Sequence, residues 1–101
     1  MRKTIMQYAL LVAAAVAAGS ALAAGDAAAG RDKATACSTC HGIDGNGRIP
    51  LAGKDQADLL ARMKAFKQGE GGNPIMRRIM AELTARDLAD LAAWFSGQTR
   101  K

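Results

Sequence analysis

The feature that most constrains this chain is the pentapeptide Cys37-Ser38-Thr39-Cys40-His41. Both cysteines and the only histidine among the 101 residues lie within it. The two thiols are three positions apart, which is close to one turn of a helix, and the imidazole follows directly. Any thiol or imidazole chemistry of this chain is therefore confined to one short segment.

The first residues have the pattern of an export signal. A short positive segment is followed by an apolar run over residues 5–18, and Ala21-Leu22-Ala23 is a small-x-small site of the kind that signal peptidase cleaves. The apolar run is shorter than the roughly 20 residues that a membrane-spanning helix requires. We therefore predict a cleaved signal peptide at 1–23 and a mature domain at 24–101, located in the periplasm and without a membrane span. An uncleaved N-terminal anchor is the alternative.

The mature segment is too small to be stabilised by apolar side chains alone. Domains of this size bury little surface, and the whole chain has one Trp, one Tyr and two Phe. A disulfide between Cys37 and Cys40 would close a very short loop and add little stability. A large prosthetic group in the core is the more economical solution.

The spacing C-x-x-C-H is the haem-attachment sequence of c-type haem proteins. Two thiols one turn apart can each add across one vinyl group on the same porphyrin, and the adjacent imidazole can then bind the iron. We predict one haem c, attached through thioethers at Cys37 and Cys40, with His41 as an axial ligand.

Three other interpretations of the pentapeptide are weaker. A thioredoxin-like redox pair requires a βαβ context, and no segment of the sequence alternates with a period of two. A structural zinc site requires four ligands, which two cysteines and one histidine cannot supply. An incidental disulfide would leave the core unfilled.

Apolar periodicity predicts an all-α domain with three helices. The first covers residues 26–36 with Asp26 as N-cap, the second covers 55–68, and the third follows a capping box at Thr84 and ends near Gly97. Glycine-rich loops separate them. The residues expected to face inward are Leu59, Leu60, Met63 and Phe66 in the second helix and Leu88, Leu91, Ala92 and Phe95 in the third.

The second axial ligand must come from outside the pentapeptide. A bis-histidine pair within one chain is excluded because His41 is the only histidine, and Met63 is expected to pack in the core. Met76 and Met80, which follow the second glycine-rich loop, are both candidates; water or no sixth ligand is the remaining possibility. A thioether opposite an imidazole leaves no vacant position on the iron, which favours electron transfer.

On these motifs the chain resembles the small monohaem class I c-type cytochromes of bacteria, and among them the haem subunit of flavocytochrome c sulfide dehydrogenase. The stretches that carry the resemblance are Gly25 to Gly30, Cys37 to Gly42, Leu51-Ala52-Gly53, Phe66 to Gly69, Pro74-Ile75-Met76 and Leu83 to Phe95. The resemblance implies a class I cytochrome c fold, with crossed N- and C-terminal helices around one covalent haem and Gly30 facing Trp94.

The resemblance also implies roles for site residues. It selects Met76, seven positions before Leu83, as the second metal ligand beside His41. It also implies that the Pro50 carbonyl accepts a hydrogen bond from the ligand histidine. The family sequence here is Pro-x-Leu-Ala-Gly, which is one residue longer than Pro50-Leu51-Ala52-Gly53.

The family often has an arginine shortly after the glycine that ends the middle helix. The segment Glu70-Gly71-Gly72-Asn73 has none, and Arg48 or Lys54 is a candidate to replace its contact with a haem propionate. Arg77 and Arg78 flank Met76 and are candidates for steering an acidic partner to the haem edge.

These features predict a periplasmic single-electron carrier that exchanges electrons with protein partners and is not itself an enzyme. The resemblance adds, as an alternative, the haem subunit of a sulfide-oxidising flavoprotein dehydrogenase complex. A ligand-binding or peroxidatic haem protein with an open sixth site is the third interpretation. Nucleic acid is not an expected partner, because the formal net charge of +5 is modest and no basic stripe is interleaved with aromatics.

Overall fold

Five α-helices follow one another in residues 25–101, the part of the chain that the computed structural model describes. They are α1 (Ala27–Lys33), α2 (Ser38–His41), α3 (Gln56–Lys67), α4 (Pro74–Ala81) and α5 (Ala85–Ser96), with a 3-10 turn, Ala34–Cys37, between α1 and α2. No β-strand occurs in the described residues, so the predicted all-α class is confirmed. The predicted signal peptide, residues 1–23, lies outside them. Between residues 25 and 101, no helix has the length and apolar character needed to cross a membrane.

Short polar side chains fix the first residues of the predicted helices. The Asp26 carboxylate accepts hydrogen bonds from the backbone N–H groups of Ala28 and Ala29 at 2.9 and 3.3 Å. Thr84 and Asp87 form the predicted capping box, each side chain accepting from the other's backbone N–H, at 3.1 and 2.9 Å. These bonds satisfy N–H groups that the first turn of a helix leaves without a partner.

Helix α4 was not predicted. The Asn73 side chain accepts hydrogen bonds from the N–H groups of Ile75 and Met76 at 2.9 and 3.1 Å, and Pro74 occupies the first turn, where its missing N–H is not needed. The helical backbone puts Met76 and Met80 one turn apart on the same side of α4.

Helices α1 and α5 cross at Gly30, as the resemblance implied. A Cβ atom placed on Gly30 would lie 2.0 Å from the carbonyl oxygen of Asp90 and 2.9 Å from the Cβ of Trp94. Only glycine allows the two backbones to approach this closely. The Trp94 indole N–H donates to the Ile43 carbonyl at 2.7 Å, and the Arg31 guanidinium lies over its ring.

A buried carboxylate stabilises the crossing of α1 and α5. Asp90 is 1% exposed and accepts hydrogen bonds from the Asp26 backbone N–H at 2.8 Å, from Lys33 Nζ at 2.6 Å and from Arg86 Nε at 3.1 Å. The four predicted inward residues of α5 are all buried, and the main apolar cluster contains Ala34, Leu59, Leu91, Ala92 and Phe95.

Candidate haem site

A cavity of about 560 Å³ is bounded by the pentapeptide, the loop after it, α3 and α4. Cys37, Cys40 and His41 all contribute to its wall. The other wall residues from the loop, α3, α4 and α5 are mostly apolar and include Ile49, Pro50, Leu51, Leu59, Met63, Phe66, Ile75, Met76, Ile79, Met80 and Phe95. The sequence motif and the candidate methionines therefore meet at one apolar volume.

This cavity fits an iron porphyrin. Its size is within the range of ligand-binding pockets, and residues that carry two thiols, one imidazole and three thioethers line it. An apolar wall suits the hydrophobic ring, and the nitrogen and sulfur groups suit its iron and its vinyl groups.

The state of the thiols argues against a redox dithiol. Cys37 and Cys40 are free of any disulfide, and burial raises the pKa of the Cys37 thiol. A catalytic dithiol requires a thiol whose pKa is lowered. The thioredoxin-like alternative is therefore disfavoured on electrostatics as well as on fold.

A backbone carbonyl fixes the tautomer of His41. The imidazole is 8% exposed, and its Nδ1 lies 2.7 Å from the carbonyl oxygen of Ile49. A carbonyl oxygen only accepts, so Nδ1 must carry the proton, and Nε2 keeps the lone pair that a metal ligand needs.

The predicted role of Pro50 in this hydrogen bond was wrong. Pro50 contributes to the cavity wall, but the carbonyl that meets His41 belongs to Ile49. Counting back from Leu51-Ala52-Gly53, Ile49 occupies the position of the proline in the family sequence Pro-x-Leu-Ala-Gly. The contact uses a main-chain oxygen, so it follows the register of the loop and not the identity of the side chain.

Hydrogen bonds of the loop hold the Ile49 carbonyl against α2. The Ile49 N–H donates to the Cys40 carbonyl at 2.9 Å, and the Gly47 N–H donates to the His41 carbonyl at 2.8 Å. Gly42 ends α2 with φ of 76°, a conformation that favours glycine and turns the chain back on itself. The pentapeptide and its loop are thus one positioned unit.

The two candidate methionines differ in how much surface they leave open. Both contribute to the cavity wall, but Met80 is 1% exposed, whereas Met76 is only partly buried. Met63 contributes to the wall as well and packs against the apolar cluster, as predicted.

Two cations, Lys54 and Arg62, contribute to the cavity wall, and no carboxylate of the described residues does. Lys54 was a candidate from the sequence, whereas Arg62 was not predicted. The available signal was its position three residues after Leu59 and four before Phe66, on the apolar face of α3. Arg77 is not among the wall residues.

Arg77 and Arg78, which flank Met76 in the sequence, do not line the cavity. Arg77 donates a hydrogen bond to the Gly71 carbonyl, and the Arg78 side chain is exposed. Arg48 Nη2 lies 4.0 Å from Cys40 Sγ.

A helical fold whose first and last helices cross, and which brings a C-x-x-C-H segment to an apolar cavity, is that of a class I cytochrome c domain. The sequence matches the family described as Cytochrome c over residues 16–98. The chain belongs to this family of electron-transfer proteins, whose cofactor is covalently bound haem c.

Several cytochromes are similar to this chain. It is 45% identical over 70 residues to cytochrome c4 of Pseudomonas aeruginosa, covering 65% of this chain and 35% of that protein. It is 44% identical over 74 residues to cytochrome c-554(548) of Halomonas halodenitrificans, covering 66% of this chain and 89% of that protein. The crystal structure of reduced recombinant cytochrome c4 from Pseudomonas stutzeri superposes with a TM-score of 0.70 at 35% identity, covering 77% of this chain and 48% of that one. This chain thus spans about a third to a half of the cytochrome c4 relatives and most of c-554(548).

Proposed function

We propose that this protein is a periplasmic single-electron carrier whose haem is attached at Cys37 and Cys40 and ligated by His41 and Met76. The observation that carries the proposal is that these four residues line the same apolar cavity. When bound by these residues, the haem would supply a one-electron ferric/ferrous couple. The protein residues bind and orient the haem and exclude water from it.

Each of the haem-binding residues has a distinct task. The thioethers at Cys37 and Cys40 keep the cofactor on a small domain. The hydrogen bond from His41 Nδ1 to the Ile49 carbonyl holds the imidazole in one tautomer and one orientation. Hydrogen bonding at this nitrogen makes the imidazole a stronger donor to the metal, which tunes the reduction potential.

Exposure supports Met76 as the second ligand. An iron-binding sulfur must present an open face to the cavity, and Met80, at 1% exposure, has almost no open surface. Met76 is partly buried and has surface to offer. Met80, one turn later, packs beneath it.

Electrons would pass where apolar side chains at the cavity are exposed. Ile75 is 64% exposed and Ile49 is 46% exposed, and both contribute to the cavity wall together with Pro50. Exposed apolar groups of this kind are suited to transient contact with a protein partner.

The ligand assignment is tested by absorption spectra of the oxidised and reduced holoprotein, for wild type, Met76→Ala and Met80→Ala. We expect Met76→Ala to lose the methionine–iron charge-transfer band and to bind carbon monoxide at neutral pH. Met80→Ala should keep the band but lose about 2–5 kcal/mol of stability, because it empties a buried site.

The converse pattern would contradict this assignment. If Met80→Ala alone abolishes six-coordinate ligation, Met80 is the ligand. If the wild type binds carbon monoxide readily at neutral pH, the open-site interpretation replaces the electron carrier.

A second candidate function is that of a haem subunit held permanently on a larger redox protein, such as a sulfide-oxidising flavoprotein. The exposed Ile49 and Ile75 side chains favour it, because a permanent interface would cover them. Purification from the native host separates the two: a free carrier elutes alone, and a subunit elutes with its larger partner.

A further inference from the structure

Arg62 is a charged residue on an otherwise apolar face of α3. The helix turns Leu59, Arg62, Met63 and Phe66 toward the cavity, at positions i, i+3, i+4 and i+7, and all four contribute to its wall. Arg62 is exposed, and its place in this stripe puts a positive charge at the rim of the cavity.

The charges of Arg62 and Lys54 have no counterpart in the described residues. Neither side chain makes an ion pair or a hydrogen bond there, and no carboxylate contributes to the cavity wall. Several other cations are engaged: Lys33 and Arg86 with Asp90, Lys101 with Asp44, Arg31 with Trp94, and Lys67 and Arg77 with backbone carbonyls. Lys64, Arg78 and Arg100 also lack a partner among the described residues, but they lie outside the cavity wall, so Arg62 and Lys54 are the unpaired cations that line it.

We propose that Arg62, assisted by Lys54, binds the propionate carboxylates of the haem. The inference rests on the proposed function, since it requires a haem in the cavity. The segment Glu70-Gly71-Gly72-Asn73, which follows α3, has no cation that could take this role. The guanidinium can donate two parallel hydrogen bonds to one carboxylate, and the ammonium adds a point charge.

The contrary interpretation is a solvated arginine whose aliphatic stem covers apolar surface while its head group stays in water. The two differ in their effect on the haem carboxylates. A paired cation favours the ionised carboxylate and lowers its pKa, whereas a solvated one does so only weakly. The remaining titratable wall residues, Cys37, Cys40 and His41, are committed to the haem, so a carboxylate titration is not obscured by them.

The test is the midpoint potential of the holoprotein as a function of pH for wild type, Arg62→Gln and the matched control Lys64→Gln. Lys64 is an exposed cation on the same helix, two residues on, and lies outside the cavity wall. We expect Arg62→Gln to lower the potential, because a lost positive charge favours the ferric state. We also expect it to raise the pKa of the pH-dependent step, with at least a tenfold fall in the carboxylate acid dissociation constant.

Lys64→Gln should leave that pKa unchanged. If both variants shift the titration equally, or neither shifts it, Arg62 is a solvated residue and the proposal is overturned. Should Arg62→Gln fail to retain haem, Arg62→Lys and Lys54→Gln decide. Each should raise the carboxylate pKa above that of the wild type, and an unchanged pKa in both overturns the proposal. A wild type without attached haem would refute the proposed function itself, which is a separate outcome.

Discussion

Asp90 shows how one residue can hold a charge inside a small apolar domain. Burial opposes its ionisation, but hydrogen bonds from Lys33, the Asp26 backbone and Arg86 outweigh that effect, so the pKa of this carboxyl is lowered. In turn, the hydrogen bond to Asp90 raises the pKa of Lys33, and the hydrogen bond to Asp87 raises it to a smaller extent. The carboxylate thus joins residues of α1 to residues of α5 at the crossing.

We predict that Asp90→Asn lowers the free energy of unfolding by about 1.5–3 kcal/mol at neutral pH. A carboxyl whose pKa is lower in the folded than in the unfolded state stabilises the fold above the unfolded value, about 3.9, and this contribution is lost as the pH falls through the folded value. The difference in unfolding free energy between wild type and Asp90→Asn should therefore narrow below about pH 4. Denaturant unfolding of the holoprotein, followed by circular dichroism at several pH values, measures this difference.

Asp32→Asn is the control for this prediction, because Asp32 is exposed on α1. It should change stability by less than about 0.5 kcal/mol. A gap between wild type and Asp90→Asn that stays constant from neutral to strongly acidic pH would contradict the account.

At the scale of elements, helices whose signals are local could be predicted, and the helix that depends on its surroundings could not. Asp26, Thr84 and Gly97 gave correct boundaries because caps and stops act within one turn. Helix α4 is only eight residues long, too short to be stable alone. Its Asn73-Pro74 start was present in the sequence, but contacts with the rest of the fold are needed to maintain it.

The crossing of α1 and α5 depends on Gly30, and we predict that Gly30→Ala destabilises the holoprotein by about 1–3 kcal/mol. The added Cβ would meet backbone atoms of Asp90, which cannot rotate away as a side chain can, so the two helices must separate. Thermal unfolding followed by circular dichroism is the measurement.

Gly72→Ala is the matched control, because among residues 25–101, its two chain neighbours aside, no heavy atom lies within 4 Å of a Cβ placed there. It should leave the unfolding temperature nearly unchanged. Equal effects of the two substitutions would mean that the close helix crossing does not limit stability.

At the scale of the whole molecule, the sequence predicted the cofactor and the fold class because composition and one motif constrain both. A short chain with few aromatics needs a large group in its core, and the cavity beside Cys37, Cys40 and His41 is where that group belongs. Two details were missed although the sequence held a signal for each. Counting back from Leu51-Ala52-Gly53 points to the Ile49 carbonyl, and the spacing of Arg62 from Leu59 and Phe66 puts it on the apolar face of α3. The sequence could not show that the loop and this face of α3 border the same cavity, because that depends on how separate elements meet.

The central claim is that two thioethers hold haem on this domain, and the most direct test is denaturation of the purified protein in acid and organic solvent followed by mass spectrometry. The account predicts that the chain keeps the mass of one haem, that its colour stays with the polypeptide, and that the modified residues map to Cys37 and Cys40. A chain of unmodified mass, or a pigment that extracts into the solvent, would contradict it.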